Sequence, residues 1–126
     1  MAKRCIFSPG GPPAVGPYSH AVAAGPLLFV SGQLALHPDG SGLCRGSIEE
    51  ESRQALSNLK TVLTDAGSGL EHVVKVTVYL SAMEDFSAFN SVYREFFTCD
   101  YPSRTCVQAG LPLGAKVEIE AVALLP

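Results

Sequence analysis

Residues 102–120 read PSRTCVQAGLPLGAKVEIE. Two runs here carry the signature of β-strands, Thr105–Ala109 and, continuing past the end of the stretch, Lys116–Leu124, with a Gly/Pro-rich loop between them. In the second run Glu118 and Glu120 alternate with Val117, Ile119 and Ala121. Side chains along a strand point to opposite faces in turn, so the two carboxylates share one face and the apolar residues the other. Arg104 stands at the mouth of the first run. The expectation is a polar face, two carboxylates beside a guanidinium, that takes solvent, another subunit or a substrate as its partner.

Working back from this stretch, Glu84–Phe97 reads as a helix whose Phe86, Phe89, Tyr93, Phe96 and Phe97 form an aromatic stripe of the kind that fills a core. Asn90 lies off that stripe. Before it, Val73–Leu80 is a β-branched run, with Val74, Val76, Val78 and Leu80 expected on one face and Lys75, Thr77 and Tyr79 on the other. Ser47 opens the clearest helix: with Glu50 it forms a capping box, and Glu49, Glu50 and Glu51 put negative charge at the positive end of the helix dipole. Ile48, Ala55, Leu56, Leu59, Val62 and Leu63 define its apolar face, and Gly67 supplies the left-handed stop.

The N-terminal third reads as strands and a long turn. His20–Ala24, a Gly25-Pro26 turn and Leu27–Leu36 form a hairpin, and Gly32 inside the second strand marks a bulge or a close backbone approach. Arg4–Phe7 is a short strand, and the Pro/Gly-rich Ser8–Pro17 is a loop that delivers the Tyr18 hydroxyl to the edge of regular structure. On spacing alone Tyr18 is a packing residue with a wet hydroxyl. Two helices against a mixed sheet of about six strands predict a two-layer sandwich, both helices on one face. The other face, with Lys75, Thr77, Glu118 and Glu120, suits burial against copies of the same chain.

Composition bounds the function. The 126 residues read as a single domain, 1–126, large enough to bury roughly two-thirds of its unfolded surface. A hydrophobic content of 47% beside only 17% charged residues points to buried subunit surface, and the net charge of -3 opposes general phosphate-backbone binding. Neither a secretory signal nor an apolar run of membrane-spanning length is read, so a cytoplasmic protein is expected, with mitochondrial partition open for a eukaryotic source. Cys5, Cys44, Cys99 and Cys106 with His20, His37 and His72 show no metal-binding spacing, and free thiols are expected. The chain has no Gly-rich phosphate loop, GxSxG elbow or HExxH. Cys106 reads as a small side chain packed in a strand.

Four motifs in order carry a resemblance. Gly16-Pro17-Tyr18-Ser19, Phe29-Val30-Ser31-Gly32-Gln33, Pro102-Ser103-Arg104-Thr105-Cys106-Val107 and Lys116-Val117-Glu118-Ile119-Glu120-Ala121 are similar to the successive motifs of the RidA/YjgF family, the reactive-intermediate (enamine/imine) deaminases. The resemblance spans nearly the whole chain. It implies a chorismate-mutase-like α+β fold and a homotrimer with a ligand pocket at each subunit interface. It further implies hydrolysis of small 2-imino acids, such as 2-iminobutanoate and 2-iminopropanoate, to 2-oxo acids and ammonia without cofactor or metal. Carried over residue by residue, Arg104 matches the carboxylate-binding arginine and Cys106 a neighbouring main-chain contact. Tyr18 matches the pocket tyrosine, Glu118 the water-orienting glutamate, and Ser31, Gly32 and Asn90 further pocket residues. The chain departs from the usual pattern at His20, where glutamine is commoner, at Ser103, where alanine is usual, and at Ala109-Gly110. These leave the preferred side chain of the substrate open, since loop 110–115 borders the site.

The residue chemistry is compatible with that assignment. A 2-imino acid presents a planar carboxylate that suits the two parallel donors of a guanidinium, a contact contributing roughly 1.5–3 kcal/mol net. Its imine carbon is already electrophilic and needs a positioned water, whose proton an ionised Glu118 accepts; a nearby Arg104 would favour that ionised form. Tyr18 holds either the imine nitrogen or the water. Glu120 is then a structural or interface charge. Two other readings stand beside this one: a non-catalytic trimer that binds small carboxylates or a protein partner, and an RNA-directed endoribonuclease or translation inhibitor. The acidic charge and the absence of interleaved basic and aromatic residues oppose the RNA reading.

Overall fold

The structure is a computed structural model and describes residues 2–126. Its six strands are β1 (Arg4–Ile6), β2 (Ala21–Ala24), β3 (Leu27–Gln33), β4 (Val73–Leu80), β5 (Ser103–Gln108) and β6 (Val117–Leu124); the helices are α1 (Ile48–Asp65) and α2 (Phe86–Phe96). They form one mixed sheet in the order β1-β2-β3-β6-β4-β5. Only the β4–β5 pair is parallel, and α2 makes the crossover that a parallel pair requires. The C-terminal strand β6 therefore runs down the middle of the sheet, between β3 and β4.

Local chemistry accounts for α1. The Glu50 N–H donates to the Ser47 hydroxyl at 3.1 Å while the Ser47 N–H reaches back to the Glu50 carboxylate at 3.3 Å, closing the expected box. At the other end Gly67 takes φ 86°, and the Ser68 N–H bonds to the Leu63 carbonyl. The apolar face of α1 packs Ala55, Leu56, Leu59, Val62 and Leu63 against Leu28, Val30, Ile119, Ala121 and Ala123 of the sheet. Phe89, Val92 and Tyr93 of α2 extend the same layer, so the helices cover one face and leave the other open.

Two further contacts shape the β5–β6 connection. Glu51, 2% exposed on α1, accepts from the Lys116 ammonium at 3.1 Å and from the Lys116 N–H at 3.2 Å. Arg45 donates to the Leu113 carbonyl at 3.0 Å, at a residue held in the left-handed region with φ 60°. The connection is thus tied to α1 through Glu51 and to the segment preceding α1 through Arg45.

Four sequence expectations are adjusted. The second hairpin strand ends at Gln33 instead of Leu36, because the chain bends away after the bulge to place Leu34 and Ala35 in the core. The second helix starts at Phe86, after a single 3-10 turn over Met83–Asp85. Strand β5 begins at Ser103, so Arg104 lies within it rather than at its mouth. The fourth concerns Val74: a bulge between Val73 and Lys75 shifts the register against β6, so Val73 is buried and Val74 is 41% exposed.

Candidate active site

The β3–β6 register builds the first part of the site. Val30 pairs with Ala121 and Gln33 with Ile119, with a bulge between them that takes up Ser31 and Gly32. Glu118 leans into this gap. A Cβ built on Gly32 would fall inside the Glu118 carboxylate, so the carboxylate can take this position only against a glycine. The internal glycine thus marks both a bulge and a close approach. Glu118, Tyr18, Ser31 and Gly32 line one cavity of about 300 Å³, walled by Pro12, Pro13, Val15, His20, Gln33 and Pro112.

The groups in this cavity differ in how far they are committed. The Ser31 hydroxyl donates to the Ser19 carbonyl at 2.6 Å, leaving its oxygen as an acceptor. The Tyr18 oxygen accepts the Val15 N–H at 3.1 Å, which leaves its proton free to donate. Glu120 is taken up by the Tyr79 hydroxyl at 2.6 Å, in keeping with a structural role. Glu118 has no cation paired to it among the described residues. Burial, and secondarily the charge of Glu120, push its carboxyl above the usual glutamate range.

Arg104 lies elsewhere. Its Cα partner on β4 is Val76, a fully buried core residue, whereas the partner of Glu118 on β4 is Tyr79. Partners across a ladder share a face, so Arg104 points to the helix side and Glu118 to the open side. The guanidinium carbon sits 4.7 Å from the ring centroid of Tyr93, 5.7 Å from that of Phe86 and 6.0 Å from that of Phe89. The expected shared face of carboxylates and guanidinium does not form within one chain, and Arg104 is not among the charges acting on Glu118.

Around Arg104 a second cavity of about 270 Å³ is lined by Asn90, Tyr93, Arg94, Tyr101 and Pro102. No carboxylate pairs with Arg104 among the described residues; three aromatic faces hold it by cation–π attraction. Its hydrogen-bonding fork stays available. Two buried polar atoms beside it, the Asn90 Oδ1 and the Tyr93 hydroxyl, have no partner among the described residues. Burial pushes the Tyr93 phenol up to about 12, so it stays neutral and able to donate.

Cys106 also turns its side chain to the helix layer, where it packs against the core, and burial raises its thiol. Strand β5 is the sheet edge, and the Ala109 N–H donates to the Leu80 carbonyl at 3.0 Å. Main-chain groups alternate sides along a strand, which turns those of Arg104 and Cys106 to the free edge.

Loop 110–115, expected at the border of the site, contributes Pro112 to the first cavity; sequence reasoning missed the Pro12, Pro13 and Val15 wall, which tertiary contacts assemble, and it missed Tyr93. Spacing held a clue to Tyr93, which stands three residues from Asn90 and so shares a helix face with it. Placed in an aromatic stripe, it was expected only as core.

The family model described as Endoribonuclease L-PSP matches residues 10–125. A RutC family protein of Pyrococcus abyssi is 40% identical over 124 residues, covering 98% of each chain. The goat (Capra hircus) protein named 2-iminobutanoate/2-iminopropanoate deaminase is 42% identical over 125 residues, covering 98% of this chain and 91% of the goat protein. The crystal structure of E. coli TdcF with bound serine superposes with a TM-score of 0.91 at 35% identity, covering 96% of this chain and 98% of that one. With this sheet order, this α+β layering and these matches along nearly its whole length, the chain belongs to the RidA/YjgF (endoribonuclease L-PSP) family.

Proposed function

We propose that this chain hydrolyses small 2-imino acids, of the 2-iminobutanoate and 2-iminopropanoate class, to 2-oxo acids and ammonia, at sites completed between copies of the chain in a homotrimer. One observation carries the reading: Glu118 and Arg104 are each unpaired and each open to a cavity, yet lie on opposite faces of one sheet. Neither cavity alone offers both a carboxylate anchor and a base. A second copy docked on the open sheet face brings the Arg104 edge of one chain to the Glu118 cavity of the next.

In that arrangement Arg104 and the main chain of Cys106 grip the substrate carboxylate, with Asn90 beside them. With the imine nitrogen protonated, Glu118 orients a water against the imine carbon and accepts one of its protons as the C–O bond forms and the C=N π electrons move to nitrogen and neutralise it. The resulting carbinolamine then collapses. Its hydroxyl proton passes to solvent water, the C–N bond breaks, and Glu118 returns its proton to the departing nitrogen, giving the 2-oxo acid and ammonia. A carboxyl raised by burial suits both halves of this shuttle better than one held firmly ionised. The relatives named as deaminases support the substrate class.

The test generates 2-iminobutanoate in situ with a threonine dehydratase and follows 2-oxobutanoate release. Acceleration over spontaneous hydrolysis is expected. No acceleration by protein confirmed to be trimeric would sink the enzyme reading and leave the carboxylate-binding one.

A further inference from the structure

The Pro/Gly-rich segment 8–13 is a strap across the end of α1, and its Pro12 and Pro13 wall the Glu118 cavity. Two side chains fasten it. Asp65, the last residue of α1, accepts from the Ser8 hydroxyl at 2.7 Å and from the Gly10 N–H at 2.9 Å. His20, 5% exposed, accepts the Ser8 main-chain N–H at Nδ1 at 3.1 Å. On its other side its Nε2–H donates to the Pro12 carbonyl at 2.7 Å. A main-chain N–H can only donate and a carbonyl can only accept, so these bonds define a neutral imidazole with its single proton on Nε2.

Protonation would set a second N–H at Nδ1, donor against donor with the Ser8 N–H. The geometry points to His20 as a positioning residue whose neutral form latches the Ser8 end of the strap beside the Glu118 cavity and whose protonation loosens that end. Among side chains, histidine is the one that ordinarily changes charge between about pH 5 and 8. Few charged groups face the ring. From α1, Asp65 is an ionised carboxylate held low by the Ser8 hydroxyl and the Gly10 N–H. From β6, Glu118 faces the same cavity, which has no lysine or arginine in its lining. The phenol of Tyr18 is the remaining ionisable group there; the Phe7 ring stands edge-on at 5.4 Å, and from β3 the Ser31 N–H donates to the His20 carbonyl. Of the two ring hydrogen bonds only the one at Nδ1 is incompatible with a second ring proton; the Nε2–H donates to the Pro12 carbonyl in either form.

Amide hydrogen exchange tests this independently of catalysis. The protection of the Ser8 N–H, corrected for intrinsic exchange and referred to the buried Leu59, is measured across about pH 5 to 8. In the wild type it is expected to fall about tenfold toward the acid end, the factor carried by one buried hydrogen bond. His20→Asn places an oxygen where Nδ1 stands, so it keeps the acceptor without titrating and should hold Ser8 protection constant. His20→Ala should lack it at every pH. Wild-type protection that stays constant, or that falls equally in His20→Asn, would overturn the latch. Only the second readout rests on the proposed deaminase: the acid limb of kcat/KM should be shallower in His20→Asn. A latch seen by exchange in a protein without turnover would overturn the deaminase reading alone.

Discussion

Gly32→Ala probes the candidate site with one methyl group. Gly32 is not among the glycines with positive φ, so alanine adds no backbone strain there. What it adds is a Cβ that overlaps the Glu118 carboxylate and stands 2.9 Å from its Cδ and 3.2 Å from its Cγ. Carbon atoms in good contact sit at about 3.5–4.0 Å, so Glu118 must swing away. The obstacle is the end of a half-buried side chain rather than backbone, and the cavity gives it room. The strain left in the fold is then that of a displaced rotamer, about 0.5–1.5 kcal/mol.

Catalysis suffers more than stability. Moving the carboxylate proposed to orient the water by about an ångström costs on the order of 10²-fold in rate, equivalent to about 2.7 kcal/mol on the barrier. The assay is kcat for 2-iminobutanoate generated in situ, read beside a thermal melt and the affinity for 2-oxobutanoate. Arg104 is untouched, so binding of the oxo acid should change by less than about twofold, well under one hydrogen bond's worth. A wild-type kcat in Gly32→Ala would refute the placement of Glu118 against Gly32. Equal losses of binding, melting temperature and rate would mean that the bulge serves the fold and not the site.

Other substitutions separate the remaining roles. Arg104→Lys keeps the charge over the aromatic rings but loses the fork, and kcat/KM should fall roughly 10- to 100-fold, chiefly through KM. Cys106→Ser should retain most activity, because the proposed contact is through the main chain; a loss matching Arg104→Ala in folded trimer would contradict that role. Glu118→Gln should abolish turnover yet melt at higher temperature than the wild type at neutral pH. The sign follows from the raised carboxyl: the folded state binds the proton more tightly than the unfolded one, so its stabilisation is present below the unfolded value and lost as pH rises through the folded value. Melts of the two proteins should converge as the pH falls below about 4, where the wild-type carboxyl is protonated in both states.

The features legible in the sequence are those written locally. The capping box of α1 needs only Ser47 and Glu50, and the alternation of Glu118 and Glu120 with buried neighbours needs only β6 itself. Gly32 announced a bulge or a close approach because a glycine inside a strand otherwise weakens it. The misread features depend on pairing. One extra residue at the Val73–Lys75 bulge exposes Val74, and no propensity signals it. The face taken by Arg104 depends on its register with β4, set by a crossover through α2, and a slip of one residue would reverse it. The proline wall of the Glu118 cavity is fixed by Asp65 and His20, contacts from distant parts of the chain that spacing does not encode.

That reversal of face is what keeps the groups usable. Opposite charges about 4 Å apart near a protein surface attract by about 4 kcal/mol, so Arg104 and Glu118 set side by side in one chain would pair and occupy each other. The guanidinium would then have no free fork for a carboxylate, and the glutamate would be held ionised below its usual range, a weaker base for a water proton. With the sheet between them, Arg104 rests on Tyr93, Phe86 and Phe89, which attract a cation without engaging its fork in hydrogen bonds. Glu118, meanwhile, keeps a raised carboxyl against Gly32. Under the proposed assembly the two approach only where copies meet, with the substrate carboxylate on the arginine and the water on the glutamate. A monomeric variant that keeps this fold should therefore bind carboxylates weakly through Arg104 and hydrolyse nothing; turnover by such a monomer would refute the division of the site between chains.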